Sequence, residues 1–573
     1  MNTKTLMARA SGREKASKVF KNARLLNVYT KEIEKVDIAL EGDTIIGTGT
    51  YAGKEEIDLE GAYVAPGFID GHVHIESSMV TPERFASLIM PHGTTTVIAD
   101  PHEIANVTGE KGIRYMLKCA KRTPLNIKMM IPSSVPATTF ETSGATLSSK
   151  DIDAIKDLEG IFGLGEVMND PGVINGEKDI HEKLAIMKER PIDGHAPGLS
   201  GLNLNAYILA GVMTDHECET TEALLERVKK GMYVHLREGS QTRNVRDLLP
   251  AVNKNTLPRL LFCTDDKHPE DIKQEGHINY NVNLAIKFGI DPIDAVCMAT
   301  LNAANCYGLN DLGAIAPGKK ADFIVFDSLK SIHPNMVYKD GKCVAENKKM
   351  LVDSEPYQDS SLENTVNIKM DDLDFTLFLK HNKVHVIGLN ENNITTKDLI
   401  KSVKSKEGIY QNNAEDDIMK LAVVERHKAS GNIGLGLVEG FGFKHGALAM
   451  SIGHDSHNVL VLGDSDDAME RATAKVVDMQ GGIALAERNG RVQALQLEVA
   501  GLMTKAPHKT VEKTLSEMKE TLRIMGLNET IRDPFIQLAF LSLAVVPKLK
   551  LTDKGLFDVD AFKHIDIEAK EDE

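Results

Sequence analysis

Apolar runs alternate with helical stretches through the middle of the chain, from about residue 66 to residue 309. Eight of these runs are short and strand-like, and each ends in polar or charged residues: GFIDGHVHI, TTTVIADP, NIKMMIPSS, IFGLGEVM, PIDGHAP, GVMTDHE, MYVHLREGS and RLLFCTDD. Strands that alternate with helices form either a closed (β/α)8 barrel or an open doubly wound sheet. Eight runs with polar endings favour the barrel, whose active sites lie at the carboxyl ends of its strands. We therefore predict an α/β fold with a TIM-like barrel over residues 66–309.

The segments on both sides of this region have a different pattern of apolar and polar residues. Short strand-like runs separated by Gly and Asp turns occupy about 18–64 and return at about 312–352. We predict that residues 1–65 and 310–355 form one composite β-sandwich. The polar stretch DSEPYQDSSLEN follows as a linker, and strands such as KVHVIGL then begin an additional α/β or α+β domain over 365–573.

Composition narrows the class of protein. The formal net charge of −16 argues against a nucleic-acid partner, because nucleic-acid backbones are bound through clustered Lys and Arg. The six cysteines show no CxxC pair, which is typical of a reducing compartment. No segment approaches the ~18 consecutive apolar residues that a membrane span needs. We expect a cytoplasmic protein with no membrane partner, and we expect it to form a homodimer or a higher homo-oligomer.

The first candidate chemistry lies in the first of the eight runs, at His72 and His74. Residues i and i+2 of a strand face the same side, so the two imidazoles converge, and neutral imidazole binds divalent transition metals. An HxH pair alone is weak evidence. Later runs, however, end in four more possible ligands: Glu166, His195, His216 and Asp265. About three protein ligands suffice for one catalytic ion, so six suit a pair of ions bridged by a carboxylate.

These motifs resemble the amidohydrolase superfamily over about residues 18–350. The matching segments are VAPGFIDGHVHIESS at the first strand and LNAANCYGLNDLGAIAPGKKADFIVFD at the exit from the barrel. Glu166 stands where dihydroorotase-like and urease-like members carry a carboxylated lysine. His195 is followed by 196–198, Ala-Pro-Gly, so the glutamate of mononuclear cytosine-deaminase-like members is missing. Further segments are similar to the bacterial adenine deaminases within this superfamily: ADPHEIANV, GLGEVMN, DGHAPGLSG, TDHECET, REGSQTRN and the C-terminal SIGHDSHN.

The resemblance implies that the substrate is a small purine base and that adenine is hydrolysed to hypoxanthine and ammonia in purine salvage. It also implies two divalent metal ions per chain, manganese or iron rather than zinc, which would lower the pKa of a shared water to roughly 7 for attack at C6. Asp265 is the expected proton carrier and His216 a further catalytic residue. Glu238 is the expected donor to the ring or ring ligand, although a surface ion pair with Arg237 explains it equally well.

Other strand-end residues are candidates for substrate binding: His102, Glu103, Arg237, Ser240 and Asp266. In the C-terminal part, Asp455 and His457 belong either to a lid over the barrel or to an ordinary turn. Two alternative functions stay open on the sequence alone. One is another dinuclear amidohydrolase, acting on a cyclic amide or a different aminopurine; the other is a non-catalytic scaffold of the same fold.

Overall fold

A parallel barrel occupies the middle of the chain in the computed structural model, which describes residues 3–390, 393–412 and 416–570. Its strands are Phe68–Val73, Thr94–Ala99, Asn126–Ile131, Ile161–Val167, Ile192–Gly194, Thr214–Asp215, Tyr233–Arg237 and Leu260–Cys263. All eight predicted runs therefore contain a strand, and the prediction of a TIM-like barrel is confirmed. The first five strands pair in one parallel sheet and the last three in another.

The barrel closes where its first and last strands meet. Val73 and Asp265 form a parallel bridge, and the backbone N–H of Asp265 donates to the carbonyl of His72 over 3.0 Å. Ile69, Ile98 and Leu261 come from different strands and share one buried cluster in the interior. The barrel is therefore filled with side chains below the level at which its polar strand ends begin.

Helices follow the barrel strands and cover the outside of the barrel. They are Pro82–Ile89, His102–Thr108, Glu110–Ala120, Ser149–Ile155, Asp170–Asn175, Lys178–Met187, Gly201–Leu209, Thr221–Lys229, Val245–Leu248, Pro269–Glu275, Ile278–Lys287, Pro292–Met298 and Leu301–Cys306. Among the helices of the described residues, none combines the length and the apolar character that crossing a membrane requires.

A nine-stranded sheet draws its strands from both flanks of the barrel, after a first helix at Thr3–Ala10. The strands are Ala16–Asn27, Glu32–Glu41, Thr44–Gly49, Gly53–Asp58, Tyr63–Pro66, Phe323–Phe326, Met336–Lys339, Lys342–Glu346 and Lys349–Met350. The sheet curls so that the ring of Phe20 lies 5.0 Å from that of Phe323 and 4.8 Å from that of Tyr338. Its ends thereby enclose a core as the layers of a sandwich do.

The C-terminal part is built on an eight-stranded sheet. In spatial order the strands are Thr396–Ser402, Lys383–Leu389, Ile433–Glu439, Ile418–Val424, Val459–Gly463, Gly446–Met450, Gly482–Glu487 and Val492–Gln496. Two further small sheets belong to this part of the chain. One contains Ser405–Lys406 and Ile409–Tyr410, and the other contains Leu549–Thr552, Gly555–Asp558 and Lys563–His564. Its helices are Asp466–Asp478, His508–Ile524 and Pro534–Ala539.

This C-terminal part packs against the barrel through buried polar contacts. Asp533 lies 3.1 Å from Nδ1 of His268 in the barrel and 2.7 Å from Nζ of Lys519. Asp553 accepts hydrogen bonds from the backbone N–H and the hydroxyl of Thr142, at 2.9 and 2.6 Å. Buried charges are stable only when they are paired, so these contacts fix where the C-terminal part sits on the barrel.

Candidate metal centre

The six predicted metal ligands meet at the carboxyl ends of the barrel strands. Their side chains come from the first, fourth, fifth, sixth and eighth strands: His72, His74, Glu166, His195, His216 and Asp265. Five of them are buried, and His195 keeps 16% of its side chain exposed. Three groups of three have candidate ligand atoms within 4.8 Å of one another: His72, His74 and Glu166; His72, His216 and Asp265; and Glu166, His195 and His216.

Glu166 stands between two pairs of histidines. Its Oε1 lies 3.4 Å from Nε2 of His74 and 3.9 Å from Nε2 of His72. Its Oε2 lies 2.8 Å from Nδ1 of His195 and 3.2 Å from Nε2 of His216. One carboxylate thus presents a different oxygen to each pair, which is the arrangement of a bridging ligand.

The backbone that carries Glu166 depends on a glycine. A Cβ on Gly165 would lie 2.1 Å from an oxygen of Asp100, so any larger residue would displace that carboxylate. With glycine there, Oδ2 of Asp100 accepts the backbone N–H of Glu166 over 2.9 Å. The buried Asp100 therefore fixes the end of the fourth strand.

The histidines of the first strand are oriented by hydrogen bonds to their outer nitrogens. Nδ1 of His74 lies 2.9 Å from the carbonyl of Asp100, and Nδ1 of His72 lies 3.4 Å from Oδ2 of Asp193. Asp193 also accepts the hydroxyl of Tyr307 over 2.7 Å, which holds it in place. A proton on each Nδ1 leaves each Nε2 with a lone pair for a metal ion, and the two Nε2 atoms lie 3.1 Å apart beside Glu166 and Asp265.

A second set of charges surrounds Asp265. Its Oδ1 lies 3.0 Å from Nε2 of His74, and its Oδ2 accepts a hydrogen bond from Arg237 at 2.7 Å. Arg237 also pairs with Glu217, whose Oε1 lies 3.4 Å from Nε2 of His216. Burial alone would raise the pKa of the Asp265 carboxyl, but Arg237 and the neighbouring histidines hold it well below its ordinary value.

The candidate substrate-binding residues divide into two sets. His102, Glu103, Arg237 and Asp266 line a cavity of about 110 Å³ over the cluster, together with Glu166 and Asp265. Glu238 and Ser240 are buried elsewhere. Oε1 of Glu238 lies 3.5 Å from a guanidinium nitrogen of Arg243, and the Ser240 hydroxyl donates to Asp271. The structure therefore does not bring Glu238 to the position of a ring donor.

Residues beyond position 390 supply much of the cavity wall. They contribute most of its apolar side chains, namely Ile394, Phe540, Leu543, Val545, Val546 and Pro547, and the barrel adds Met168 and Pro197. His454 and Asp455 add polar groups from the SIGHDSHN segment. This segment was predicted to be either a lid or a turn, and its residues lie at the barrel mouth. The SIGHDSHN motif alone gives little signal for this placement, because its contacts His102 and Glu103 lie about 350 residues earlier in the chain.

Comparison with known proteins agrees with this geometry. The model described as the amidohydrolase family matches residues 63–353, and the model described as the adenine deaminase C-terminal domain matches residues 393–563. Adenine deaminase 2 of Carboxydothermus hydrogenoformans is 46% identical over 565 residues, which cover 98% of this chain and 99% of the relative. Adenine deaminase of Clostridium acetobutylicum is 45% identical over 562 residues, covering 97% of this chain and 98% of the relative. The chain belongs to the adenine deaminase family of amidohydrolases.

Membership confirms the resemblance predicted from the sequence and makes this amidohydrolase a hydrolytic enzyme. The match to both family models is also informative about the cavity. Residues 63–353 contain the histidine and carboxylate cluster, and residues 393–563 contain the apolar wall that faces it. The two matched regions thus meet at one site.

Proposed function

We propose that this amidohydrolase converts adenine to hypoxanthine and ammonia and serves purine salvage. The placement of Glu166 between two histidine pairs carries the proposal, because it provides for two cations at the end of a barrel that opens into a small cavity. Relatives that are named adenine deaminase and align over nearly the whole chain support the choice of substrate.

The donor set fits two divalent cations. Oε2 of Glu166 and Nδ1 of His195 are buried and only 2.8 Å apart, yet neither makes a hydrogen bond within the described residues. A shared cation would satisfy both atoms. His72, His74 and Asp265 would hold one ion and His195 and His216 the other, with Glu166 bridging. Bound ions would supply a water whose pKa is lowered to roughly 7. Imidazole and carboxylate ligands without thiolate suit manganese or iron, as well as zinc, and we propose manganese or iron.

Asp265 is suited to move the proton. Its carboxylate stays ionised because Arg237 donates to Oδ2, while Oδ1 faces the histidines of the cluster. It would accept a proton from the attacking water as the C6–O bond forms and the C6=N1 double bond opens, and N1 would receive that proton. The remaining hydroxyl proton would then pass through Asp265 to the amino group as the C6=O bond forms, the bond from C6 to the amino nitrogen breaks and ammonia leaves. The ring of His216 stacks on that of His72 with centroids 4.2 Å apart, which supports a role for His216 as a metal ligand.

The test is ammonia release from adenine by protein loaded with manganese or iron, with 6-substituted purines and hydantoins as competing substrates. We expect adenine to be turned over with the highest kcat/KM. Absence of ammonia from adenine at full metal loading would overturn the proposal, and preference for a hydantoin would favour an amidohydrolase acting on cyclic amides. A scaffold without catalysis would release no ammonia from any of them.

Elemental analysis of the same preparation tests the metal content, with two equivalents per chain expected. We also propose that the enzyme is cytoplasmic and forms a homodimer or a higher homo-oligomer. The scattered cysteines, which are free in the described structure, support a reducing compartment. Light scattering of the purified protein measures its mass, and a monomer would contradict the oligomer.

A further inference from the structure

A turn of the C-terminal part reaches into the barrel mouth and attaches to a barrel carboxylate. Nδ1 of His454 contacts one oxygen of Glu103, and Nε2 of His457 contacts the other. Glu103 lies in the first turn of the helix that follows the second barrel strand. Both histidines are buried, so the two contacts fix this turn relative to the metal cluster.

Asp455, between the two histidines, is not used in this attachment. Its side chain is 4% exposed and lines the cavity. Its Oδ1 lies 3.8 Å from Nε2 of His102, and its Oδ2 has no hydrogen-bond partner among the described residues. A buried carboxylate oxygen without a partner costs free energy, which a ligand with an N–H group would recover.

One imidazole ring, that of His102, lies between Asp455 and the metal cluster. Nδ1 of His102 lies 3.3 Å from Oε1 of Glu166, while Nε2 at the other side of the ring faces Asp455. In adenine N9 lies on the side of the imidazole ring away from C6, so an N–H at N9 is separated from the reacting carbon in a similar way. With C6 directed at the cluster, that N–H would point toward Asp455.

The apolar wall next to Asp455 suits a flat heterocycle. The ring of Phe540 stacks on that of His454 with centroids 4.6 Å apart and an interplanar angle of 17°. Leu543 and Val546 continue the same wall. Aromatic and aliphatic surfaces bind the face of a ring, and a few polar groups at its edge set the orientation.

We propose that Asp455 accepts a hydrogen bond from the imidazole N–H of the purine and thereby selects free bases over N9-substituted purines such as nucleosides. This inference rests on the proposed function and adds a specificity-determining residue to it. The acceptor comes from the C-terminal part, so each of the two parts of the chain would contact a different edge of the purine. The barrel holds the reacting edge, and the C-terminal part recognises the imidazole edge.

Binding of hypoxanthine and 9-methylhypoxanthine tests the proposal, because both are products or product analogues and only the first retains the imidazole N–H. Calorimetry on the manganese-loaded wild type should show much tighter binding of hypoxanthine. In Asp455→Ala we expect hypoxanthine affinity to fall roughly 10- to 150-fold, the range for a hydrogen bond to a charged group. The affinity for 9-methylhypoxanthine should change little, so the affinities for the two ligands should become similar.

Two further variants make the result decisive. Asp455→Asn keeps the size of the side chain and a neutral acceptor, and it should lose less hypoxanthine affinity than Asp455→Ala. Asp553→Ala removes a buried carboxylate that holds the same interface at Thr142 but lies outside the cavity, and it should preserve the ratio between the two ligands. Unchanged ligand discrimination in both Asp455 variants, with metal content intact, would overturn the inference.

Steady-state kinetics separate this inference from the proposed function. For adenine, Asp455→Ala should raise KM more than it lowers kcat, because the residue binds the ring away from C6. If the wild type releases no ammonia from adenine, the proposed function fails. If the wild type is active and Asp455→Ala keeps the wild-type KM, only the role of Asp455 fails.

Discussion

Replacing Glu166 with glutamine tests the bridging role directly. The side chain keeps its shape, but one of its two oxygens becomes an NH2 group that donates hydrogen bonds and binds no cation. Because each oxygen faces a different histidine pair, the glutamine can serve one pair and not the other. We therefore expect Glu166→Gln to retain no more than about one equivalent of metal per chain.

The size of the effect follows from the charge that is lost. Two unit charges ~4 Å apart in a surrounding with an effective dielectric of ~20 attract by about 4 kcal/mol. A loss of that size weakens binding roughly a thousandfold. The neighbouring carboxylates Asp265 and Glu217 are already engaged by Arg237, so they compensate poorly for the lost charge. Deamination should fall at least as steeply as the affinity for the second ion.

The assay is metal content by elemental analysis after equilibration with manganese and dialysis, alongside ammonia release. Asp322→Asn is the matched control, because Asp322 is a buried carboxylate directly before the strand Phe323–Phe326 and its cationic partner is Lys339. It should keep two equivalents of metal and the wild-type rate. Two tightly held equivalents in Glu166→Gln would refute the bridging role.

Three further outcomes concern charges buried around the site. Arg237→Met leaves Glu217 and Asp265 without their partner, so the metal-free protein should lose about 3–5 kcal/mol of stability, seen as a lower unfolding midpoint; an unchanged midpoint would contradict this. Burial would raise the pKa of the Asp533 carboxyl, but its cationic neighbours hold it far below its ordinary value, so its contribution is present above about pH 4 and is lost as the pH falls further. Denaturant unfolding of Asp533→Asn between pH 5 and 2 should therefore depend less on pH than that of the wild type. Burial lowers the pKa of Lys550 to about 7. Between about pH 7 and 10 the unfolded chain therefore binds more protons than the folded protein, and the free energy of unfolding rises with pH. Lys550→Met should flatten that rise in denaturant unfolding over the same pH range.

The sequence was informative wherever the barrel itself does the positioning. Eight parallel strands bring all their carboxyl ends to one face, so residues as distant as His72 and Asp265 are brought together by topology. Strand alternation also determines which neighbours face inward. His235 and Arg237 point into the barrel along the seventh strand, and Glu238 therefore turns to the opposite side, toward Arg243. Applying this alternation would have placed Glu238 away from the cavity.

The remaining part of the site has no comparable signal. Asp193 and Asp100, which orient the first histidines, look in the sequence like ordinary strand residues. Asp455 and Phe540 reach the cavity through packing between two parts of the chain, which no local period encodes. The position of Glu217 was also hard to foresee, because the sixth strand has two residues and alternation does not extend beyond it.

The charge balance of the cavity connects these observations. Its lining includes seven carboxylates: Glu103, Glu166, Glu217, Glu219, Asp265, Asp266 and Asp455. Among the described residues that line it, Arg237 is the one arginine or lysine. Four of these carboxylates, Glu103, Glu166, Asp265 and Asp455, are buried, and such an excess of negative charge needs further positive charge. Protonated histidines would supply it in the metal-free protein, and divalent ions would supply it in the loaded enzyme. The same excess of negative charge disfavours a phosphorylated nucleotide and favours a neutral base. A free purine base is also the substrate that the proposed contact at Asp455 would recognise.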